Sequence, residues 1–232
     1  MISIIIPTHN EEKYLPILLE CIKRQTYNNY EIIVSDAGST DNTRKIARKY
    51  NCKIVKGGMP SVGRNSGVKC VKGGMLLFLD ADVHFSEDFL KRSLDEIKKR
   101  KLDIAGCYIA PLSKNMVDIV YFKIYNGWCI LMQYVYPHAA GSAIFCRKTI
   151  HNKIRGFDET IIFAEDMDYV NRAAKFGKFR NLRNTIIKFS MRRFDKEGRI
   201  KTGLKIFGAA LHRIFVGEIR TDLFRYNMRY KK

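Results

Sequence analysis

Short apolar runs alternate with amphipathic stretches over the first hundred residues. Runs of strand length occupy 2–6, 31–35, 53–55 and 75–79. Between the first two runs, Leu15, Leu18, Leu19 and Ile22 recur at helical spacing, and further helical patterns cover 43–50, 60–72 and 87–101. Strands that alternate with helices predict βαβ units and a mainly parallel sheet with flanking helices.

The pattern is less regular after residue 102. It predicts strands over 103–109 and 143–146 and helices over 117–136, 165–176 and 200–216. In the last helix Ile200, Leu204 and Phe207 form an apolar stripe, and Lys201 and Lys205 lie off it. We therefore predict one α/β domain over 1–180, with halves 1–102 and 103–180, and a basic amphipathic helical extension over 181–232.

Composition supports a full hydrophobic core and adds a strong basic bias. The chain has 232 residues, 46% of them hydrophobic, and a net charge of +19. Residues 178–232 contain sixteen Lys and Arg against four Asp and Glu. Such a region suits nucleic acid, anionic lipid headgroups or a phosphorylated substrate, and a solvated face is an equal alternative.

Cysteines and apolar segments predict a cytoplasmic protein. Six cysteines lie without a CxxC pair, which gives little support to zinc or disulfide frameworks. The first residues lead directly into a strand without a basic leader, so we expect no secretory signal. The aromatic-rich segment 116–136 approaches membrane length, but Asp118 and Lys123 interrupt it and we expect no transmembrane helix.

Acidic residues follow the predicted strands at one edge of the sheet. Asp80 and Asp82 follow the run 75–79, Asp36 follows 31–35, and Asp166 begins a later helix. The carboxyl ends of parallel strands form the ligand crevice of an open α/β sheet. Two carboxylates on one strand face suit a hard divalent cation and the phosphates it carries. A plain turn after the strand and a helix cap at Asp166 are the alternatives.

Five segments in order resemble the family 2 glycosyltransferases of the GT-A fold. They are IIIPTHNEE, EIIVSDAGSTDNT, GRNSG, LLFLDADVHF and GFDETIIFAEDMDYVNRAAKFG, and together they span roughly residues 1–180. The first turn lacks the glycine pattern of a dinucleotide fold, and no GxxxxGK[ST] phosphate loop is present.

The resemblance implies an inverting, metal-dependent transfer of a sugar. The donor would be a UDP-sugar or GDP-sugar bound by 1–102, and the acceptor would be a glycan hydroxyl or a lipid-linked phosphate bound by 103–180. It also implies nucleotide-sugar contacts at Pro7, His9, Glu11, Asp36, Arg64, Asp80, Asp82 and Arg193. Arg192 is an alternative to Arg193 for closing over the diphosphate, and structural ion pairing is the alternative for both.

The resemblance also implies which residues hold the metal ion and which residue is the general base. Asp82 and Asp80 match the motif that holds Mn²⁺ or Mg²⁺, and His84 would complete the metal shell or be a surface histidine. Asp166 matches the general base that deprotonates the acceptor hydroxyl.

Two other classes of function remain as alternatives. A nucleotidyltransferase would share the α/β crevice but usually has a glycine-rich, basic first loop, whereas residues 8–12 are acidic and glycine-free. A non-catalytic nucleic-acid or polyanion binder would explain the basic C-terminal region but not the acids of the crevice. We expect no nucleic-acid partner. Aromatic residues in 117–136 and the basic helix suit peripheral membrane contact at the inner face of the cell membrane, with core packing as the alternative.

Overall fold

The computed structural model describes residues 1–221. The strands in this range are β1 (Ile2–Thr8), β2 (Tyr30–Asp36), β3 (Lys53–Lys56), β4 (Met75–Leu79), β5 (Val83–His84), β6 (Ile104–Pro111), β7 (Ala143–Arg147) and β8 (Phe179–Phe189). The helices are α1 (Leu15–Lys23), α2 (Thr43–Lys49), α3 (Pro60–Val68), α4 (Phe89–Arg100), α5 (Met116–Met132), α6 (Lys148–Lys153), α7 (Glu165–Ala174), α8 (Arg192–Glu197) and α9 (Arg199–Phe215).

The strands form a mixed, mostly parallel sheet in the order β3-β2-β1-β4-β7-β6-β8-β5. The first four in this order run parallel, so β1, β2 and β4 end at one edge, with Thr8 opposite Asp36. Strand β7 is antiparallel to both β4 and β6, whereas β6 and β8 are parallel. The predicted α/β fold class is confirmed.

Both faces of the sheet are covered, which explains why every residue of β1 is buried. Ile4 and Ile6 pack with Leu15 and Leu18 of α1 in one apolar cluster. Ile5, which points to the opposite face, belongs to a second cluster that includes Tyr169 of α7. The strand is therefore mostly apolar, and its polar residues Ser3 and Thr8 are buried as well.

Helix α3 packs close to the sheet through its two glycines. A Cβ atom added to Gly67 would lie 2.5 Å from Ile5 Cγ2, and one added to Gly63 would lie 3.2 Å from Pro7 Cβ. The close approach holds Arg64, between these glycines, next to the ends of the central strands. The GRNSG segment thus positions an arginine at the crevice.

Strand β8 is the main element that the sequence pattern missed. Its polar interruptions at Arg180, Asn181 and Arg183 conceal an 11-residue strand. It pairs with β6 through an irregular register and with the short strand β5. It also runs across residue 180, so the sheet continues into the range assigned to the C-terminal extension. The division into 1–180 and 181–232 stays a prediction, and residues 222–232 lie outside the described residues.

Candidate active site at the sheet edge

Arg64 of α3 connects the end of β4 with the start of α7. Its Nη1 donates to Glu165 Oε1 at 2.6 Å and its Nη2 to Asp80 Oδ1 at 3.0 Å, and the side chain is only 3% exposed. Burial opposes the guanidinium charge, but the carboxylates of Glu165, Asp80 and Asp166 outweigh it and raise the pKa of Arg64. The ion pairs fix the start of α7 against the end of β4.

Asp166 lies in the first turn of α7, where Ala164 just before the helix adopts a left-handed φ of 62°. Burial and the charge of Glu165 raise the pKa of Asp166 to about 6, although Arg64 acts in the opposite direction. A Cβ atom at Gly141 would lie 2.8 Å from Asp166 Oδ2. The absent side chain at Gly141 therefore leaves room for the carboxylate.

Arg192 brings Glu11 and Asp82 together. Its Nη1 and Nη2 donate to the two carboxylate oxygens of Glu11, both at 2.8 Å, and its Nε lies 2.9 Å from Asp82 Oδ2. The guanidinium also lies over the ring of Tyr14, 4.6 Å from its centroid. Burial raises the pKa of Asp82, and Arg192 opposes this shift. The first loop is thereby linked to the segment after β8.

The buried carboxylate of Asp36 keeps one acceptor available. Its Oδ2 accepts hydrogen bonds from the backbone N–H groups of Gly38 and Ser39 and from Arg44 Nε. Its Oδ1 is buried and has no hydrogen-bond partner within residues 1–221. A buried acceptor without a partner is costly, so this oxygen suits an N–H donor from a ligand.

The structure places other predicted site residues at varying distances from these groups. Pro7 is buried at the end of β1, and the Nδ1 atom of His9 lies 3.2 Å from the carbonyl oxygen of Ala37, next to Asp36. Arg193 is exposed, and its charge acts to lower the pKa of Asp82. His84 instead lines a surface groove with Pro16, Ile17, Glu20, Cys21, Arg24 and Tyr50, and none of the residues described above lines it.

The carboxylates fit a cation that is shared with a bound substrate. Within residues 1–221, no three His, Cys, Asp or Glu side chains are grouped so as to enclose a metal ion. Mg²⁺ at nucleotide sites is held by one or two carboxylates together with substrate phosphates. Asp80 and Asp82 supply oxygens of this kind, and Arg64 links Asp80 to the start of α7.

Two contacts of the site are not predicted by the sequence patterns. Tyr14 lies under Arg192, and the space beside Asp166 depends on Gly141. Both arise from contacts between residues that are far apart in the chain. Among the described helices, none is long and apolar enough to cross a membrane.

Comparisons with solved structures show the same fold. Staphylococcus aureus TarS in complex with UDP-GlcNAc has a TM-score of 0.67 and 22% identity, covering 82% of this chain and 58% of that one. The Pyrobaculum calidifontis mannosyltransferase PcManGT, in complex with GDP-Man and Mn²⁺, has a TM-score of 0.67 and 18% identity, covering 81% and 56%. The architecture is of the GT-A type.

Sequence comparisons identify the family. The chain is 31% identical over 193 residues to the uncharacterized glycosyltransferase EpsJ of Bacillus subtilis, covering 73% of this chain and 54% of the relative. A dolichyl-phosphate-linked sugar glucuronosyltransferase of Methanococcus voltae is 34% identical over 141 residues, covering 54% and 44%. The chain thus spans about half the length of these relatives. A model of glycosyl transferase family 2 matches residues 3–154, and the chain belongs to this family.

Proposed function

We propose that the protein transfers a sugar from a nucleoside-diphosphate sugar to an acceptor with inversion, assisted by a divalent metal. One observation carries the proposal. Arg64 bridges Asp80, at the predicted metal motif, and Glu165, next to the predicted base Asp166. A donor held at Asp80 would thus present its anomeric carbon to Asp166.

Residues at the strand ends would bind the donor. The acceptor atom Asp36 Oδ1, which has no hydrogen-bond partner within residues 1–221, is suited to an N–H group of the nucleotide's base. Pro7, His9 and Glu11 would contact the nucleotide from the first loop. Asp82 and Asp80 would hold Mn²⁺ or Mg²⁺; the third predicted ligand, His84, lines a separate surface groove and stays a prediction. When bound, the ion would supply positive charge where the nucleoside diphosphate departs. Arg64 and Arg193 would add guanidinium groups for the diphosphate oxygens.

Asp166 would act as the general base. With a pKa of about 6 it is mostly ionised at pH 7 and still basic enough to accept a proton. The acceptor oxygen attacks the anomeric carbon from the face opposite the diphosphate, its proton passes to Asp166, and the bond from carbon to diphosphate oxygen breaks. The configuration at that carbon is inverted. An acceptor phosphate would need no base, and then the arginines Arg192 and Arg193 would matter more.

The relatives narrow the range of substrates. TarS was solved with UDP-GlcNAc and PcManGT with GDP-Man and Mn²⁺, which supports a UDP-sugar as the first donor to test and a GDP-sugar as the second. The relative from Methanococcus voltae is named for a dolichyl-phosphate-linked substrate, and the TarS name specifies poly(ribitol-phosphate). We propose a glycan or lipid-linked acceptor, no nucleic-acid partner, and a cytoplasmic location, with the inner face of the membrane as the alternative.

The test combines donor binding with turnover. UDP, GDP and their sugars are added with and without Mn²⁺, and the ligand that binds the native state raises the melting temperature. Asp82→Ala should abolish the Mn²⁺-dependent part of this shift. Asp166→Asn should keep the shift and lower kcat by about 10²-fold or more.

A surface acid provides the control. Asp95 is exposed on α4, and Asp95→Asn should change neither donor binding nor turnover. Full turnover in both Asp82→Ala and Asp166→Asn would refute the proposed mechanism. Donor binding without any metal dependence would refute the role of Asp80 and Asp82.

A further inference from the structure

The apolar stripe of α9 points outward. Ile200 is 81% exposed, Phe207 62% and Phe215 80%, and Leu204 between them is also exposed. Large apolar side chains at helical spacing normally face a core. Here the stripe that the sequence pattern predicts is a surface feature.

Helix α5 adds a second set of exposed apolar residues beside α9. They are Met116, Val117, Val120, Ile124, Trp128, Ile130 and Leu131. The two helices adjoin, because Arg199 Nε donates to Asp118 Oδ1 at 2.8 Å and Ile206 packs with the cluster around Phe122. We call the exposed residues of these two helices the α5–α9 surface. An exposed apolar area of this extent indicates a binding surface.

The charges on the α5–α9 surface have one sign. Helix α9 contains no acidic residue, and the one acid of α5, Asp118, is buried and paired with Arg199. Lys123 of α5 and Lys201 of α9 are exposed beside the apolar side chains. An amphipathic surface with lysines and no exposed acid complements a bilayer that contains anionic headgroups.

The inner faces of the same helices lie near Asp166, the proposed general base. Burial raises the pKa of Tyr125 on α5, and the nearby charge of Asp166 contributes to the shift. Arg213 on α9 acts on Asp166 in the opposite sense and lowers its pKa. Ala209 of α9 also packs in one cluster with Ala164, two residues before Asp166, so one side of these helices is near Asp166 and the other side forms the α5–α9 surface.

We propose that the α5–α9 surface docks on an anionic lipid bilayer, with its apolar residues at the level of the headgroups. A lipid-linked acceptor in that bilayer would then lie close to Asp166. The position of a lipid-linked acceptor near Asp166 rests on the proposed function, whereas the docking on the bilayer does not.

Vesicle binding tests the docking without any sugar transfer. The 232-residue chain is sedimented with vesicles of phosphatidylcholine alone and of phosphatidylcholine mixed with phosphatidylglycerol. The unaltered chain should bind the mixed vesicles more strongly. The double variant Ile124→Glu/Leu204→Glu should lower the partition coefficient by about tenfold or more, because two apolar side chains no longer enter the interface. The control Ile17→Glu alters an exposed isoleucine of α1 and should bind as the unaltered chain does.

A charge variant separates the two contributions. Lys123→Glu/Lys201→Glu should weaken binding to the mixed vesicles by about tenfold or more and leave binding to pure phosphatidylcholine little changed. Donor-induced melting shifts, measured on every variant, report whether the crevice is intact. If the unaltered chain bound no donor, the proposed function would be refuted, and the docking proposal would not be affected.

Three results would overturn the docking proposal. The unaltered chain would fail to bind mixed vesicles, or Ile124→Glu/Leu204→Glu would bind them as well as Ile17→Glu does. In the third, the unaltered chain would not bind vesicles, and light scattering would show a dimer that the double variant Ile124→Glu/Leu204→Glu dissociates. The partner of the α5–α9 surface would then be a second copy of the chain.

Discussion

Arg64 is the position where a single substitution should affect both stability and chemistry. Its guanidinium is 3% exposed and neutralises Glu165 and Asp80, whose side chains are 12% and 37% exposed. Removing one partner of a buried ion pair costs about 3–5 kcal/mol, and solvent access at Asp80 favours the lower end of that range. We therefore expect Arg64→Ala to lose about 3 kcal/mol, equivalent to a melting temperature lower by about 6–12 °C for a chain of this size.

The measurement is denaturant unfolding at pH 7.5, together with activity as a function of pH. Without Arg64, the pKa of Asp166 should rise above about 6, because the guanidinium is a cause that lowers it. The acidic limb of kcat/KM should move to higher pH accordingly. Arg64→Lys should recover part of the stability, since one ammonium group cannot reproduce the two-pronged contact.

Two comparisons test whether the ion pairs of Arg64 hold α7 against β4. The exposed pair Arg92–Asp88 is the control, and Arg92→Ala should change stability by no more than about 0.5 kcal/mol. In a double-mutant cycle, Arg64→Ala and Glu165→Gln should couple by about 1–3 kcal/mol. A loss below about 1 kcal/mol for Arg64→Ala, or additive effects in the cycle, would show that the bridge does not hold α7 against β4.

Three further predictions concern Asp166 and Gly141. The value of kcat/KM should fall about tenfold per pH unit below about pH 6 and level off above it, because Asp166, as the proposed general base, would have to be ionised; a flat profile from pH 5 to 8 would contradict this role. Asp166→Asn should raise the melting temperature by a few degrees at pH 7.5, since a carboxyl group whose folded pKa is raised destabilises the fold when ionised. This gain should shrink as the pH falls through 6 towards 4, and an equal gain at both ends would contradict the stated pKa. Gly141→Ala should lower kcat by about 10²-fold with donor KM little changed, because the new Cβ would lie 2.8 Å from Asp166 Oδ2; unchanged kcat would show that the carboxylate can shift without consequence.

Local sequence patterns predict the first half of the fold well. The run 75–79 coincides with β4, and the predicted strands at 2–6 and 31–35 are the cores of β1 and β2. Each of these strands contains an apolar run of at least three residues that is largely buried, and such runs are easy to recognise. The acids that follow them lie at the common edge because the strands are parallel.

Long-range contacts explain what the patterns miss. Arg192 and Glu11 are 181 residues apart, and no local periodicity connects them. Strand β8 has polar residues on its path because only part of it is buried. The stripe of α9 is visible in sequence, but spacing alone does not distinguish a face that packs inside from one that remains exposed.

The ion pairs of Arg192 have a consequence for the order of binding events. A divalent cation bound at Asp82, as proposed, would meet an arginine of the same chain already paired with that carboxylate and with Glu11. The cation would therefore compete with an internal counterion, and its apparent affinity would be its intrinsic affinity multiplied by the fraction of molecules in which the arginine has moved away. A diphosphate that enters with the cation offers the displaced guanidinium a new anion, so metal and donor would assist each other's binding.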